Sequence, residues 1–163
     1  MTRPRELSVP HGAAYEMHAY HYCGPAALKA FLACYGLRFT QRQLAKRSGT
    51  TQADGTSANG MKRAVGQLGI RYRTKVDATF TDIERALAAR KPTIICFVEP
   101  FDEEPHYAIP VRISKRYIWL RDSWNSQRRK DKKSFRLTRE DFYRRWTNQH
   151  RWILIPRHAP KGW

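Results

Sequence analysis

Acidic side chains are scarce in this chain. Its 163 residues carry 14 Asp and Glu against 31 Lys and Arg, a formal net charge of +17. A field of that sign draws in nucleic acid, acidic protein surfaces or anionic lipid, and a strongly solvated surface gives the same totals. Cysteine is also scarce. Cys23, Cys34 and Cys96 are odd in number, widely spaced and without a CxxC pair. They read as reduced thiols in a cytoplasmic setting and exclude a bridge framework. His18, His21 and Cys23 lie close together, but a fourth ligand would have to come from far away, so neither a metal nor another cofactor is expected.

Long apolar runs are missing as well. The N-terminus Met1-Thr2-Arg3-Pro4-Arg5 lacks the apolar core of a signal peptide, and no run reaches the length of a membrane span. The longest, 93–98, has the length of a buried strand. The chain fits one domain, large enough to bury about 70% of its extended-chain surface without a disulfide or metal.

Residues 1–14 read as an irregular lead-in, and 15–163 as a single domain. Leu28, Phe31, Leu32 and Tyr35 form the apolar stripe of a first helix that ends at Gly36. Thr40 with Gln43 makes a capping box for a short helix ending near Gly49. Ser57 caps a third helix through Met61, Ala64, Val65 and Leu68. Ile70, Tyr72, Thr74 and Val76 alternate with basic residues as a half-exposed strand does. Thr81 to Glu84 has the pattern of another capping box, opening a helix closed by Lys91-Pro92. Strands follow at 93–98, 106–113 and 117–121. Pro110 calls for an edge or a bulge. A last helix opens between Thr138 and Asp141 and bears Phe142 and Trp146, and residues 152–155 close the sheet. Helices first and an antiparallel sheet second define an α+β fold.

One thiol stands at a chemically useful place. Cys23 precedes Gly24-Pro25 and opens the first helix, and Pro25 suits an early helical position. Unpaired N–H groups and the positive dipole end there favour thiolate over thiol. An ordinary thiol is about 3% ionised at neutral pH, so full ionisation raises the reactive form up to roughly 30-fold. A lone cysteine more commonly behaves as a small buried hydrophobe. A thiolate that acts on carbonyls also needs a base and a group to orient that base. His106 stands eight residues before Ser114, and Asp122 eight after it. If the intervening strands form a hairpin, the two emerge at the same sheet edge within reach of a hydrogen bond.

With these pieces in order, the chain resembles the papain-like cysteine peptidases that process double-glycine leader peptides of bacteriocins. The likeness runs from about Tyr15 to Trp152. It includes Cys23-Gly24-Pro25-Ala26-Ala27, the Gly55-Thr56-Ser57 turn with Gly60-Met61, and Leu68-Gly69. It continues through Pro92-Thr93-Ile94-Ile95, His106-Tyr107-Ala108-Ile109-Pro110-Val111, Asp122-Ser123-Trp124 and the Phe142 to Trp146 helix. The resemblance implies a papain-like fold, with N-terminal helices packed on a C-terminal antiparallel sheet, and a peptide or protein substrate. It implies Cys23 as nucleophile, His106 as general base and acid, and Asp122 as the orienting carboxylate.

One position departs from the pattern. The family places a glutamine six residues before the cysteine, donating to the oxyanion, and here that position is Met17, which cannot donate. His18 is the candidate substitute, and the Cys23 N–H is a further donor. The family is commonly fused to transporters, so the absence of a membrane span implies a stand-alone peptidase-like domain.

Three functional readings follow. One is a cysteine peptidase or related thiol acyl hydrolase. Another is a weak or inactive relative whose basic stretch, Arg128, Arg129, Lys130, Lys132 and Lys133, grips nucleic acid or an acidic protein. The third is acyl transfer by the same three residues. Glu99, Asp102, Glu103 and Glu104 form an acidic patch before His106, fit to receive a basic substrate segment, to raise the His106 pKa, or simply to be solvated. Trp119, Trp124, Trp146 and Trp152 stand among basic residues as stacking platforms would, although most fall at core-facing spacing.

Overall fold

Small residues and local punctuation start the architecture. In this computed structural model, which describes residues 6–10, 21–123 and 135–161, helix α1 (Cys23–Cys34) follows Tyr22 and runs through an alanine-rich stretch. Gly36 then turns the chain at φ +74. Helix α2 (Gln41–Ser48) is held by the Thr40–Gln43 capping box and ends on left-handed Gly49. Helix α3 (Ala58–Gln67) is capped by Ser57. A Cβ at Gly60 would lie 2.1 Å from the Ser48 carbonyl oxygen, so glycine is what lets α3 pack on α2 at backbone distance.

Strand β1 (Tyr72–Lys75) and helix α4 (Phe80–Ala88) come next. They are followed by β2 (Ile94–Val98), β3 (Pro105–Ile113), β4 (Tyr117–Arg121) and β5 (Phe135–Thr138). Helix α5 (Arg139–Thr147) and β6 (Ile153–Pro156) complete the order. The six strands form one sheet, β1-β6-β2-β3-β4-β5, in which every neighbouring pair is antiparallel.

Both faces of that sheet are covered, which is why β2 reads as an unbroken apolar run. Ile94 and Cys96 pack with Leu28, Phe31, Leu32, Met61 and Val65 of α1 and α3. Ile95 and Phe97 pack on the other face with Ile83, Phe142 and Trp146 of α4 and α5. The fold is thus the expected α+β arrangement, with α4 and α5 forming a second helical layer. Residues 6–10 have no regular structure, yet Leu7 and Val9 are buried, and the Leu7 N–H donates to the Val111 carbonyl at 2.7 Å.

The structure corrects two local readings, the cap of α4 and the missed strand β5, and bears out the bulge expected at Pro110. Helix α4 is capped at Thr79, not Thr81, because the Asp82 carboxylate reaches back to the Thr79 N–H at 2.8 Å. Phe80, packed with tilted rings against Phe142 and Trp146, becomes the first helical residue. Pro110 lies in an interior strand, tolerated because the β3–β4 register shifts between Pro110 and Arg112. Strand β5 had no counterpart in the sequence reading.

Candidate active site

Cys23 takes the first position of α1, where its half-buried sulfur faces the start of β3. His106 is the second residue of β3, and Asp122 follows the last residue of β4. The β3–β4 pairing sets Ile109 opposite Arg121. Continued by one step, it places Asp122 opposite Ala108. His106 and Asp122 are therefore diagonal neighbours on one side of the hairpin, two residues out of the register that symmetry about Ser114 gives. The diagonal is bridged: His106 Nε2 and Asp122 Oδ1 are 2.8 Å apart, both side chains buried. The ring's other nitrogen is left for the sulfur, which hydrogen-bonds His106 and accepts from the Tyr107 N–H.

Charge follows geometry. Burial alone would push the Cys23 thiol up, but the His106 hydrogen bond and positive charge, with the Tyr107 N–H, hold it below its ordinary value. Burial would likewise lower His106, and the Asp122 carboxylate, joined by the Cys23 sulfur, raises it well above the ordinary imidazole value. The acidic patch is not among the causes. The other two thiols go the opposite way: burial pushes Cys34 and Cys96 up to about 12. Cys34 donates to the Ala30 carbonyl at 3.4 Å, and both are packed in the core. Of the three thiols, Cys23 alone is held below its ordinary value.

A cleft of about 310 Å³ opens over Cys23 and His106. One wall is the segment 52–55, the other the segment 99–105, with His21 at the side. The first wall is pinned from below. Tyr107 Oη donates to the Thr56 carbonyl at 2.9 Å, and Thr56 Oγ1 lies 2.6 Å from Thr50 Oγ1, which in turn meets Ser48 Oγ at 2.8 Å. The second wall is shaped by Glu99, whose buried carboxylate accepts the N–H groups of Phe101, at 2.9 Å, and Asp102. Of the acidic patch, Glu99, Asp102 and Glu104 line the cleft, whereas Glu103 turns away to Arg145 at 3.0 Å. Asp54, which the sequence reading passed over, joins them from the opposite wall. Among the described residues, no lysine or arginine lines this cleft, although the chain is strongly basic.

Several candidates fall elsewhere. Met17, His18, Trp124, Arg128, Arg129, Lys130, Lys132 and Lys133 lie outside the described residues. Trp146 and Trp152 are buried, and half-buried Trp119 sits under the Arg112 guanidinium, so none of these three is an open platform. Among the described residues no group of three His, Cys, Asp or Glu could hold a metal ion. None of their helices is long and apolar enough to cross a membrane.

An α+β scaffold that brings a helix-terminal thiol to a sheet-borne imidazole defines a papain-like cysteine peptidase fold. The chain belongs to the Peptidase_C39-like family, whose model matches residues 6–152. Solved structures agree on the fold. The peptidase domain of Streptococcus ComA, a bifunctional ABC transporter involved in quorum sensing, superposes with a TM-score of 0.70 at 23% identity, covering 90% of this chain and 96% of that one. A double-glycine-motif protease from an AMS/PCAT transporter, solved with its leader peptide, gives 0.68 at 20% identity, covering 93% of each chain. A putative C39-like peptidase from Bacillus anthracis gives 0.76 at 13% identity, covering 99% and 100%. No curated protein matches the chain in sequence.

Proposed function

We propose that this protein is a cysteine peptidase in which Cys23, His106 and Asp122 hydrolyse a peptide bond. The observation that carries the reading is the linked trio: a sulfur hydrogen-bonded to a buried imidazole that is itself hydrogen-bonded to a buried carboxylate. The Cys23 thiolate attacks the substrate carbonyl carbon, and the C–N bond breaks as imidazolium His106 gives its proton to the leaving amine. The acyl group stays on sulfur as a thioester. Water then attacks that thioester, His106 takes a proton from the water, and the acid leaves with the thiolate restored. Asp122 keeps the imidazole in its working orientation and stabilises its charged form.

The oxyanion falls near the N-terminus of α1, where the Cys23 N–H and the helix dipole are available. The family's glutamine position is Met17 here. One missing donor costs about 100- to 1000-fold in turnover, so a slow enzyme is expected. Cleft charge defines the substrate further. Asp54, Asp102 and Glu104 around the thiol favour a peptide with a lysine or arginine next to the scissile bond.

The test is profiling with a peptide library, followed by kinetics on the best sequence. Cleavage should favour basic residues beside the bond and vanish in Cys23→Ala. Full activity in Cys23→Ala would end the proposal.

A further inference from the structure

Several basic side chains of the described residues gather in a second concavity, far from the thiol. A cavity of about 620 Å³ lies where β1, the end of β6 and the end of α4 meet. Arg71, Arg73, Arg85, Lys91, Arg157 and His158 line it. Lys91 precedes β2 at the end remote from His106, which pairs with Phe97. Six strand steps separate Lys91 from Phe97, about 20 Å. The cavity and the thiol thus occupy opposite ends of the sheet.

Five cations without a carboxylate partner share this one concavity. Four arginines elsewhere in the described residues find carboxylates: Arg139 meets Glu84, Arg144 meets Asp141, Arg145 meets Glu103 and Asp141, and Arg151 meets Asp77. No carboxylate of the described residues pairs with Arg71, Arg73, Arg85, Lys91 or Arg157. The one acid that lines the cavity, Asp82, is already held by Lys75 at 3.1 Å and by the Thr79 N–H. The α4 C-terminus offers about half a negative charge against five cations. A ligand with several closely spaced negative charges completes such a site. Arginine forks suit planar oxyanions bidentately, phosphate foremost.

The neighbouring depression says what else that ligand carries. It has a volume of about 410 Å³, shares Arg71 and His158 with the basic cavity, and is bordered by Tyr35, Gly69 and Ile70. Tyr35 is anchored there by its hydroxyl, which donates to the His158 carbonyl at 2.7 Å. An aromatic and an aliphatic side chain beside an arginine cluster match a base beside its phosphates, and give an acidic peptide nothing in particular. We propose that this pair of concavities is a nucleotide-binding site, with phosphates in the Arg71–Arg73–Arg157 cavity and a base in the Tyr35–Ile70 depression. A free nucleoside triphosphate and a single-stranded oligonucleotide are two sources of that chemistry. The proposal stands whether or not the thiol hydrolyses peptides.

Equilibrium binding to the full chain tests it, using ATP, inorganic tripolyphosphate and a fluorescent oligonucleotide of about 12 nucleotides. ATP should bind at least 10-fold tighter than tripolyphosphate, because only ATP fills the second depression. Oligonucleotide affinity should fall with salt at a slope near −2, as about three phosphate contacts give. Tighter binding of the oligonucleotide than of ATP would assign the site to a strand, and the reverse order to the free nucleotide. Arg73→Glu with Arg157→Glu should lower affinity at least 10-fold. Lys115→Glu with Arg116→Glu, the same charge change in the β3–β4 turn, should change it less than 3-fold. Arg73→Gln with Arg157→Gln serves if the reversal unfolds the protein. Equal losses in both charge-reversed pairs, no binding at millimolar ligand, or displacement of nucleotide by polyglutamate at equal charge would overturn the proposal.

Discussion

A thiolate and an imidazolium held side by side titrate as a pair, and the pH dependence of Cys23 follows from its direction of shift. Its folded pKa is lowered, so the anion persists below the ordinary thiol range and is lost only as pH falls through the folded value. The folded pKa of His106 is raised, so its proton is present below the ordinary imidazole value and is lost as pH rises through the folded one. Peptide hydrolysis should therefore show a thiolate limb on the acid side and an imidazolium limb on the alkaline side. Iodoacetamide reads the first limb alone. In His106→Ala, burial is left without its opposing charge, so the limb should move upward and labelling at pH 7 should fall at least about 10-fold. Superimposable profiles for the two proteins would mean that the imidazole does not activate the sulfur. Asp122 is buried behind the ring and does not line the cleft. Asp122→Asn should lower kcat by about 100-fold or more with little change in KM, and shift the alkaline limb down. A change confined to KM would assign Asp122 to substrate contact.

At the scale of elements, the site depends on how closely α1 approaches the segment that walls the cleft. A Cβ on Gly24 would lie 2.3 Å from Thr56 Oγ1 and 2.6 Å from its Cβ. Gly24→Ala should therefore push the helix end off the wall, costing about 1–3 kcal/mol of stability. At about 2–4 °C per kcal/mol, thermal denaturation would show a Tm lower by several degrees. An unchanged Tm would show that the wall yields freely. Tyr107→Phe separates two roles of one residue. It removes the hydroxyl bond to the Thr56 carbonyl, worth about 1 kcal/mol, but keeps the backbone N–H that meets the sulfur. Iodoacetamide labelling should persist while KM rises.

These same contacts mark where sequence reading stops. Helices α1, α2 and α3 were legible because caps and glycines punctuate them locally. The hairpin logic brought His106 and Asp122 to one edge, but the bulge after Pro110 and the turn geometry displaced the register by two residues. Thr81 to Glu84 and Thr79 to Asp82 carry similar capping patterns two residues apart, and the second wins with the Asp82–Thr79 bond formed and Phe80 packed on Trp146. Strand β5 is four residues long and takes its meaning from pairing with β4. The cleft walls were illegible for the same reason. Thr56 and Tyr107 are 51 residues apart, and nothing in either segment names the other.

Among the described residues, charge gathers with opposite signs at opposite ends of the sheet: carboxylates around the thiol, and arginines without carboxylate partners where β1 meets α4. A cationic peptide approaching the thiol meets two fields. The +17 of the full chain repels it over long distances, while Asp54, Asp102 and Glu104 attract it within a few ångströms. Salt separates the two by range. The screening length is about 30 Å at 0.01 M and about 8 Å at 0.15 M, so added salt removes the distant repulsion first and the close contacts last. For a peptide with a basic residue beside its scissile bond, kcat/KM should rise a few-fold from 10 to 150 mM salt and fall again toward 1 M. Asp102→Asn with Glu104→Gln should flatten the descending branch and keep the ascending one, since only the local attraction has been removed. A rate that declines steadily from the lowest salt would show the cleft's own field governing capture at every distance, with the rest of the molecule irrelevant to it.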